Sequence, residues 1–451
     1  MKARMLKAAG WVLGGNLGGQ LIRLGSNLVL TRLLLPESFG LVAAVNTLYF
    51  GLVMLSDLGV WQSVVRSPRG LEPRYLGTAW SLQLIRGGLL MLGVLLAALA
   101  LSHVAGAGHA PAGSVYADPR LPPMMAAFAL CALLQGLESM RIATTQRALD
   151  TGRLTRIELA AQLASTLLTI SLAWATRSPW ALVVGTVAYS ALRTGLSHLW
   201  LPGPSVRPCW EPADARDIFG FGKWIFASSI IGFLAAHGEK LLLGGLFDSA
   251  TFGLYAIAST LLFAVVGAYG ALNAHVVFGG LAEAGRAEGA QAAALYARVQ
   301  RIADAVLGLA AGGLYALGHW VVTVLYDPRY AAAGPMLQLL ALGLVALRYQ
   351  VVEQLMFARG QPAWVMANNA LRALALVLLV PPGMAHGGIE GAVLAVALAQ
   401  FASWPLSLLY KWRTGLFTAA SEAWWLPALV AGAALGWIAD RALTAIARWL
   451  T

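Results

Sequence analysis

Apolar stretches of about twenty to thirty residues, each long enough to cross a bilayer, alternate with short polar or Gly/Pro-rich connections along nearly the whole chain. The pattern predicts spans at 8–34, 39–66, 77–103, 121–148, 155–175, 179–201, 217–246, 251–281, 296–325, 331–358, 363–382, 387–410 and 424–440. Several exceed the ~20 residues a crossing needs, which implies tilt or extension past the membrane. The last stretch, 441–451, holds Arg441 and Arg448 and reads as an interfacial tail or the stub of a fourteenth span. The basic start (Lys2, Arg4, Lys7) resembles a signal-peptide n-region, but Asn16, Gln20 and Arg23 stand where a short apolar core should be. The first helix is therefore expected to be retained. No loop is long enough to fold alone.

Composition agrees with this reading. Hydrophobic residues make up 59% and charged residues 11% of 451 positions, far from an ordinary soluble enzyme or a disordered chain. The net charge of +11 is what cytoplasmic loops contribute, so nucleic acid is not an expected partner. With the N-terminus cytoplasmic, the inside loops hold Arg66, Arg69, Arg74, Arg147, Arg153, Arg156, Arg207, Arg216, Arg286 and Lys411 among others. The outside loops hold only Arg120, Arg177 and Arg329. Cys131 and Cys209 lie in unlike settings and form neither a disulfide framework nor a metal site. Many of the 16 Trp lie near span ends, namely Trp11, Trp80, Trp180, Trp200, Trp210, Trp424, Trp425 and Trp449, and read as interfacial anchors.

A shift of about 213 residues aligns 11–53 with 224–266 without a gap: Trp11 on Trp224, Gly19 on Gly232, Phe39-Gly40-Leu41 on Phe252-Gly253-Leu254. A duplication starting at spans 1 and 7 gives two halves that enter the membrane in the same direction. The expected organisation is an N-terminal six-helix lobe over 1–205, a C-terminal six-helix lobe over 206–415 and an additional C-terminal segment over 416–451.

Leu30-Thr31-Arg32-Leu33-Leu34-Leu35-Pro36-Glu37-Ser38-Phe39-Gly40-Leu41, followed by Ser56-Asp57-Leu58-Gly59, resembles the opening of Wzx-type oligosaccharide flippases of the multidrug/oligosaccharidyl-lipid/polysaccharide exporter superfamily. Leu242-Leu243-Gly244-Gly245-Leu246-Phe247, Ala358-Arg359-Gly360-Gln361-Pro362 and Gly387-Gly388-Ile389-Glu390-Gly391-Ala392 extend the resemblance over roughly 1–415. Glu239-Lys240 departs from it, because family members often have an Asp there. The resemblance implies an all-α polytopic membrane protein of about 12–14 transmembrane helices, in two parallel six-helix lobes around a central cavity. It implies export of a polyprenyl-pyrophosphate-linked oligosaccharide across a bacterial inner membrane by alternating access. It further implies membrane lipids as surroundings, contact with a polysaccharide polymerase and a chain-length regulator, and a monomeric chain.

Polar residues inside the spans are the candidate chemistry. Asn16, Gln20, Arg23 and Asn27 recur at steps of four, three and four, on one helical face. An Arg near the bilayer centre costs roughly 2.5–3.5 kcal/mol on insertion scales, so this face belongs against a cavity or a polar helix seam. Asp57, Arg86, Glu138, Arg348 and Arg372 all fall roughly 13–15 Å from the cytoplasmic helix ends at ~1.5 Å per residue, with Arg301 and Asp304 slightly lower. They read either as a structural ion-pair layer, with Asp57–Arg86 and Glu138–Arg141 as pairs, or as a vestibule for phosphate groups. Arg23, Arg86, Arg348 and Arg372 suit a diphosphate, since a guanidinium binds oxygens with two parallel hydrogen bonds. Asp57, Glu138, Glu239, Asp304 and Glu353 are candidates for coupling to a proton or Na⁺ gradient; no cofactor or metal is expected. His237 and His275 are candidates for pH sensing or for a plain polar role, and Tyr49 and Tyr269 for stacking on sugar rings.

Two transport readings and one enzymatic reading compete. A lipid II flippase or a drug/cation antiporter of the same superfamily stays close to the first. A polysaccharide polymerase, ligase or polyprenyl glycosyltransferase needs a catalytic site at the membrane face, but the outside loops are short and lack paired carboxylates. There is also no Gly-rich phosphate loop for ATP.

Overall fold

The computed structural model describes residues 2–203, 206–272 and 290–450, and among them every regular element is helical. Most of the loop expected at 282–295 lies outside the described residues, as do His275 and Arg286.

The chain divides into two compact units. The first comprises residues 1–233 and 248–250, the second 234–247 and 251–451. The boundary falls inside a helix rather than at 205, for a local reason: the segment after 205 is tied to the first unit. Cys209 N–H donates to Gly77 O at 3.4 Å, Glu211 N–H donates to Thr78 Oγ1 at 3.1 Å, and Arg69 pairs with Asp214 at 2.5 Å.

The first unit holds α1 (Lys2–Leu33), α2 (Pro36–Leu55), α3 (Val60–Arg66), α4 (Pro73–Gly106), α5 (Leu121–Gly136), α6 (Arg141–Arg147), α7 (Thr151–Thr176), α8 (Trp180–Leu199) and the start of α9 (Pro212–Gly244). Two of the expected spans are broken. The span expected at 39–66 stops at Leu55 and restarts at Val60, with Gly59 at φ 60° capping α3 in the left-handed region that glycine tolerates. The span expected at 121–148 breaks after Gly136, and its two pieces are bent by 59°. Small residues set the packing. Gly87 of α4 and Gly136 of α5 approach so closely that a Cβ on either would meet the other's backbone. Along α1, Gly15, Gly18 and Gly19 receive Thr155, Leu159 and Gln162 of α7. In apolar surroundings helices associate through such close backbone approach.

The second unit continues with α10 (Ser249–Leu272), α11 (Ala290–Leu325), α12 (Ala333–Leu342), α13 (Gln350–Ala358), α14 (Pro362–Ala399), α15 (Trp404–Arg413), α16 (Ala419–Ala423) and α17 (Trp425–Leu450). The C-terminal segment expected as an addition belongs to this unit. Gly308 and Gly312 of α11 meet α17, and Gly432 and Gly436 of α17 meet α11, so these two helices pack backbone to backbone. α14 includes Gly388 at φ 59°, ψ −145°, a non-helical link beyond Pro381 and Pro382. Gly383 and Gly391 on either side of it touch.

By length and composition, eight helices among the described residues can cross a membrane, or nine if the bent pair forms one span. The sequence predicts 12–14. Part of the difference is the apolar stretch 362–413, which counts once at 52 residues. At ~1.5 Å per residue it is more than twice as long as a ~30 Å hydrocarbon core is thick, and the break at Gly388 splits it. α1 and α8 are not in the set although they have 32 and 20 residues. Both carry a polar face.

Candidate functional site

The two helix breaks of the first unit meet at one place on α4. Arg86 reaches the end of α2: Nε donates to Ser56 O at 2.7 Å and to Ser56 Oγ at 3.2 Å, and an Nη donates to Val53 O at 3.0 Å. A helix end leaves its last carbonyls unsatisfied, and Arg86 supplies the missing donors. One turn earlier, Gln83 Nε2 donates to Gln135 O at 2.8 Å and Glu138 O at 3.4 Å, serving the second break in the same way. His198 Nε2 and Thr194 Oγ1 of α8 donate to Leu137 O and Leu134 O, both at 2.9 Å. Broken backbone at membrane depth is tolerated only where such groups satisfy it or where it lines a cavity. Both conditions hold here.

The cavity between the breaks has a volume of about 140 Å³ and is lined by Asp57, Trp61, Gln83, Arg86, Gln135, Glu138 and Arg193 among others. The expected pairs are not the ones formed. Glu138 pairs with Arg193 of α8, not with Arg141. Arg141 turns instead to the end of α8, donating to His198 O at 2.8 Å and Leu201 O at 3.2 Å. Asp57 Oδ1 accepts from Gly59 N–H at 3.0 Å and shapes the turn. Among the described residues, Asp57 and Arg86 are not joined by an ion pair, because Arg86 is committed to carbonyls. A second cavity of about 120 Å³ shares Trp61 and Arg193 with the first and adds Gln146 and Glu158. The sequence reading passed over Arg193, Glu158 and Trp61. An ionisable residue within an apolar span, as Arg193 is, was the available signal.

On α1, the stripe Asn16, Gln20, Arg23 and Asn27 lies off the glycine face that packs against α7. Asn16 and Arg23 are exposed. Gln162 Nε2 of α7 donates to Gly19 O at 3.0 Å, so the polar contact with α7 is made on the other face. Among the described residues the Arg23 guanidinium makes no hydrogen bond or ion pair; Tyr189 of α8 is within its electrostatic reach.

In the second unit the candidates are tightly enclosed. Arg348 is 1% exposed. Its Nε and one Nη bind both oxygens of Asp304, at 2.7 and 2.8 Å, and the other Nη binds Glu422 Oε2 at 2.9 Å. Lys411 pairs with the second Glu422 oxygen, and Tyr349 donates to Glu422 Oε2 at 2.7 Å. Gln300 adds a donor to Asp304 at 3.0 Å. Arg348 also lies over the rings of Tyr349 and Trp404, at 5.0 and 5.7 Å. Arg372 pairs with Glu353 at 2.7 Å and is held by Ser403 at 3.0 Å, while Asn368 donates to Glu353 and Ser407, each at 3.1 Å. Glu239 has Lys240 and Tyr255 as neighbours, and Lys240 lies over the Phe263 ring at 5.1 Å. Tyr49 and Tyr269, considered for sugar stacking, are buried, Tyr49 edge-on to Phe128. Trp80 is not an exposed anchor: its ring stands 6.0 Å from His198 and packs into the core of the first unit.

A family profile described as "Polysaccharide biosynthesis protein" matches residues 29–335. No curated protein matches the chain by sequence. Among solved structures, the chain is similar to an inward-facing multidrug resistance MATE family transporter of the MOP superfamily, with a TM-score of 0.67 at 14% identity over 88% of this chain and 94% of that one. The lipid II flippase MurJ in an inward closed conformation gives 0.62 at 13% identity over 94% and 91%. A MOP superfamily transporter from Pyrococcus furiosus gives 0.53 at 14% over 93% and 96%. At such identities the likeness is one of fold. Taken with the family match over most of its length, it makes this chain a multi-pass, all-α membrane protein that belongs to the polysaccharide biosynthesis protein family.

Proposed function

We propose that the protein flips a polyprenyl-pyrophosphate-linked oligosaccharide across the bacterial inner membrane, from a cytoplasmic N-terminal side, for assembly of a surface polysaccharide such as O-antigen, capsule or exopolysaccharide. The observation that carries this reading is Arg23: an exposed guanidinium on α1, the helix expected to span first, without a protein anion on it among the described residues, in a stripe with Asn16, Gln20 and Asn27. A charge left open at such cost has use for an anionic ligand, and a guanidinium suits a diphosphate. Family membership supports the polysaccharide context, and the fold supports transport rather than catalysis. A proton or Na⁺ gradient would drive it, with a polymerase and a chain-length regulator as downstream partners.

Complementation of a flippase-deficient strain, with surface polysaccharide normalised to membrane protein level, tests the reading. Arg23→Ala lowers polysaccharide per molecule about tenfold or more, and Arg23→Lys recovers part of it, because the charge stays while the fork is lost. Full activity per molecule in Arg23→Ala removes Arg23 from the substrate path.

A further inference from the structure

The two cavities of the first unit share one cation; the first holds Asp57 and Glu138 beside it, and the second holds Glu158. Arg193 lines both. Glu138, in the first, is its present partner. Glu158, in the second, is exposed and acts electrostatically on both Arg193 and Glu138. Glu138 also sits at the break between α5 and α6, where the backbone is held by single donors from α4 and α8 rather than by a continuous helix.

We propose that Arg193 is a counter-ion shared between Glu138 and Glu158, and that its transfer from the first carboxylate to the second frees Glu138 to take up a proton from the cavity. The inference rests on the transport reading, since it names the group that couples transport to a gradient. The charges balance: hydronium in the cavity gives its proton to a Glu138 oxygen, and the Arg193 charge is then matched by Glu158. Release runs in reverse. Arg193 is a positioning residue in this scheme.

Arg86, Asp57 and His198 near Glu138 are held in place. On α4, Arg86 is committed to the carbonyls of Val53 and Ser56. Asp57 serves Gly59 N–H, and His198 of α8 serves Leu137 O. Tyr49 of α2 and Tyr189 of α8 lie nearby, with Cys131 of α5 beside Tyr49 and Arg23 of α1 beside Tyr189. Glu158 is the acidic group that lines, with Arg193, the cavity that Glu138 does not line.

Infrared difference spectra of the purified protein in lipid nanodiscs, titrated between about pH 8 and about pH 5, test the exchange without any transport substrate. A protonated-carboxyl band is expected in the wild type and its loss in Glu138→Gln. In Glu158→Gln, Arg193 has nowhere else to go and keeps Glu138 ionised, so the midpoint falls by about one pH unit. In an Arg193→Gln background the same Glu158→Gln change moves it by less than about a third of a unit. An equal shift with and without Arg193 means Glu158 acts by its field alone and overturns the exchange, as does a band that survives Glu138→Gln.

A second measurement leaves Arg193 in place, in case its loss prevents folding. The Gln146→Cys variant, in a background without Cys131 and Cys209, is labelled with cationic and neutral thiosulfonates. At low pH Arg193 sits beside Glu158, and the cationic-to-neutral rate ratio is expected to fall severalfold. A pH-independent ratio refutes the movement. If these arms fail while Arg23→Ala still impairs flipping, the transport reading stands and only the coupling scheme falls.

Discussion

Glu138–Arg193 in the first unit and Asp304–Arg348 in the second are the same chemical pair in different surroundings. Arg193 keeps 23% of its side-chain surface and borders two cavities. Arg348 keeps 1%, and its donors are spread over Asp304, Glu422 and the Ser421 carbonyl. A guanidinium with every donor occupied by protein holds structure and has nothing left for a ligand. One that borders water can change partners. Enclosure is what separates them.

The largest effect is expected from breaking the enclosed side. Arg348→Ala leaves Asp304 buried without its cation and Glu422 with Lys411 alone, a loss of about 3–5 kcal/mol. Thermal unfolding in detergent and the level of protein in membranes both report it. A normally folded Arg348→Ala protein that has lost only transport would place Arg348 with the working residues and erase the contrast. Next is Arg86, which lines the open cavity but serves as a cap. Arg86→Ala removes charged donors from two carbonyls and costs about 2 kcal/mol. Unfolding should show this loss whether or not transport falls. Glu138→Gln sharpens the comparison further. Arg193 keeps water and Glu158 within reach, so stability drops by only about 1 kcal/mol, while gradient-driven transport in vesicles drops tenfold or more. Equal losses in both assays would make the pair structural, like its counterpart in the second unit.

The smallest effect lies outside the membrane helices. Asp118 is partly desolvated, which raises its pKa, but hydrogen bonds from Arg120 and Ser249 outweigh this and hold it below the usual carboxylate value. A depressed folded value means that its contribution is present above the unfolded pKa and is lost as pH falls through the folded one. Arg120 is about half exposed, so solvent screens the pair and the effect stays well under about 1 kcal/mol. Proteolysis of the 107–120 loop should rise below about pH 4 in the wild type and be flat with pH in Asp118→Asn.

Apolar periodicity read from the sequence located the helical segments well, because lipid-facing length is a one-dimensional property. The breaks at 56–59 and 137–140 were harder to see. Ser56-Asp57-Leu58-Gly59 contains a turn signal, but Leu137-Glu138-Ser139-Met140 has neither Gly nor Pro, and its bend is sustained by donors from α4 and α8. Pairing was legible only in part. Depth arithmetic placed Glu138 and Arg86 at one level, and it could not tell that Arg141 would turn to the end of α8 and leave Glu138 to Arg193. Nearness along one helix suggested Arg141; rotation about the helix axis, which sequence spacing alone leaves open between neighbours, decided for Arg193.

Glu422 also bears on how the chain is made. Arg348 and Lys411 leave the ribosome before it, with Asp304 as their one earlier anion, so the buried set stands at one excess positive charge until Glu422 arrives and brings it to zero. This buried cluster therefore reaches electrical neutrality only when the segment entering the last helix of the second unit has been synthesised. Any product stopped short of residue 422 holds a cation that apolar surroundings expel, and such products would be the ones that membrane proteases recognise and clear.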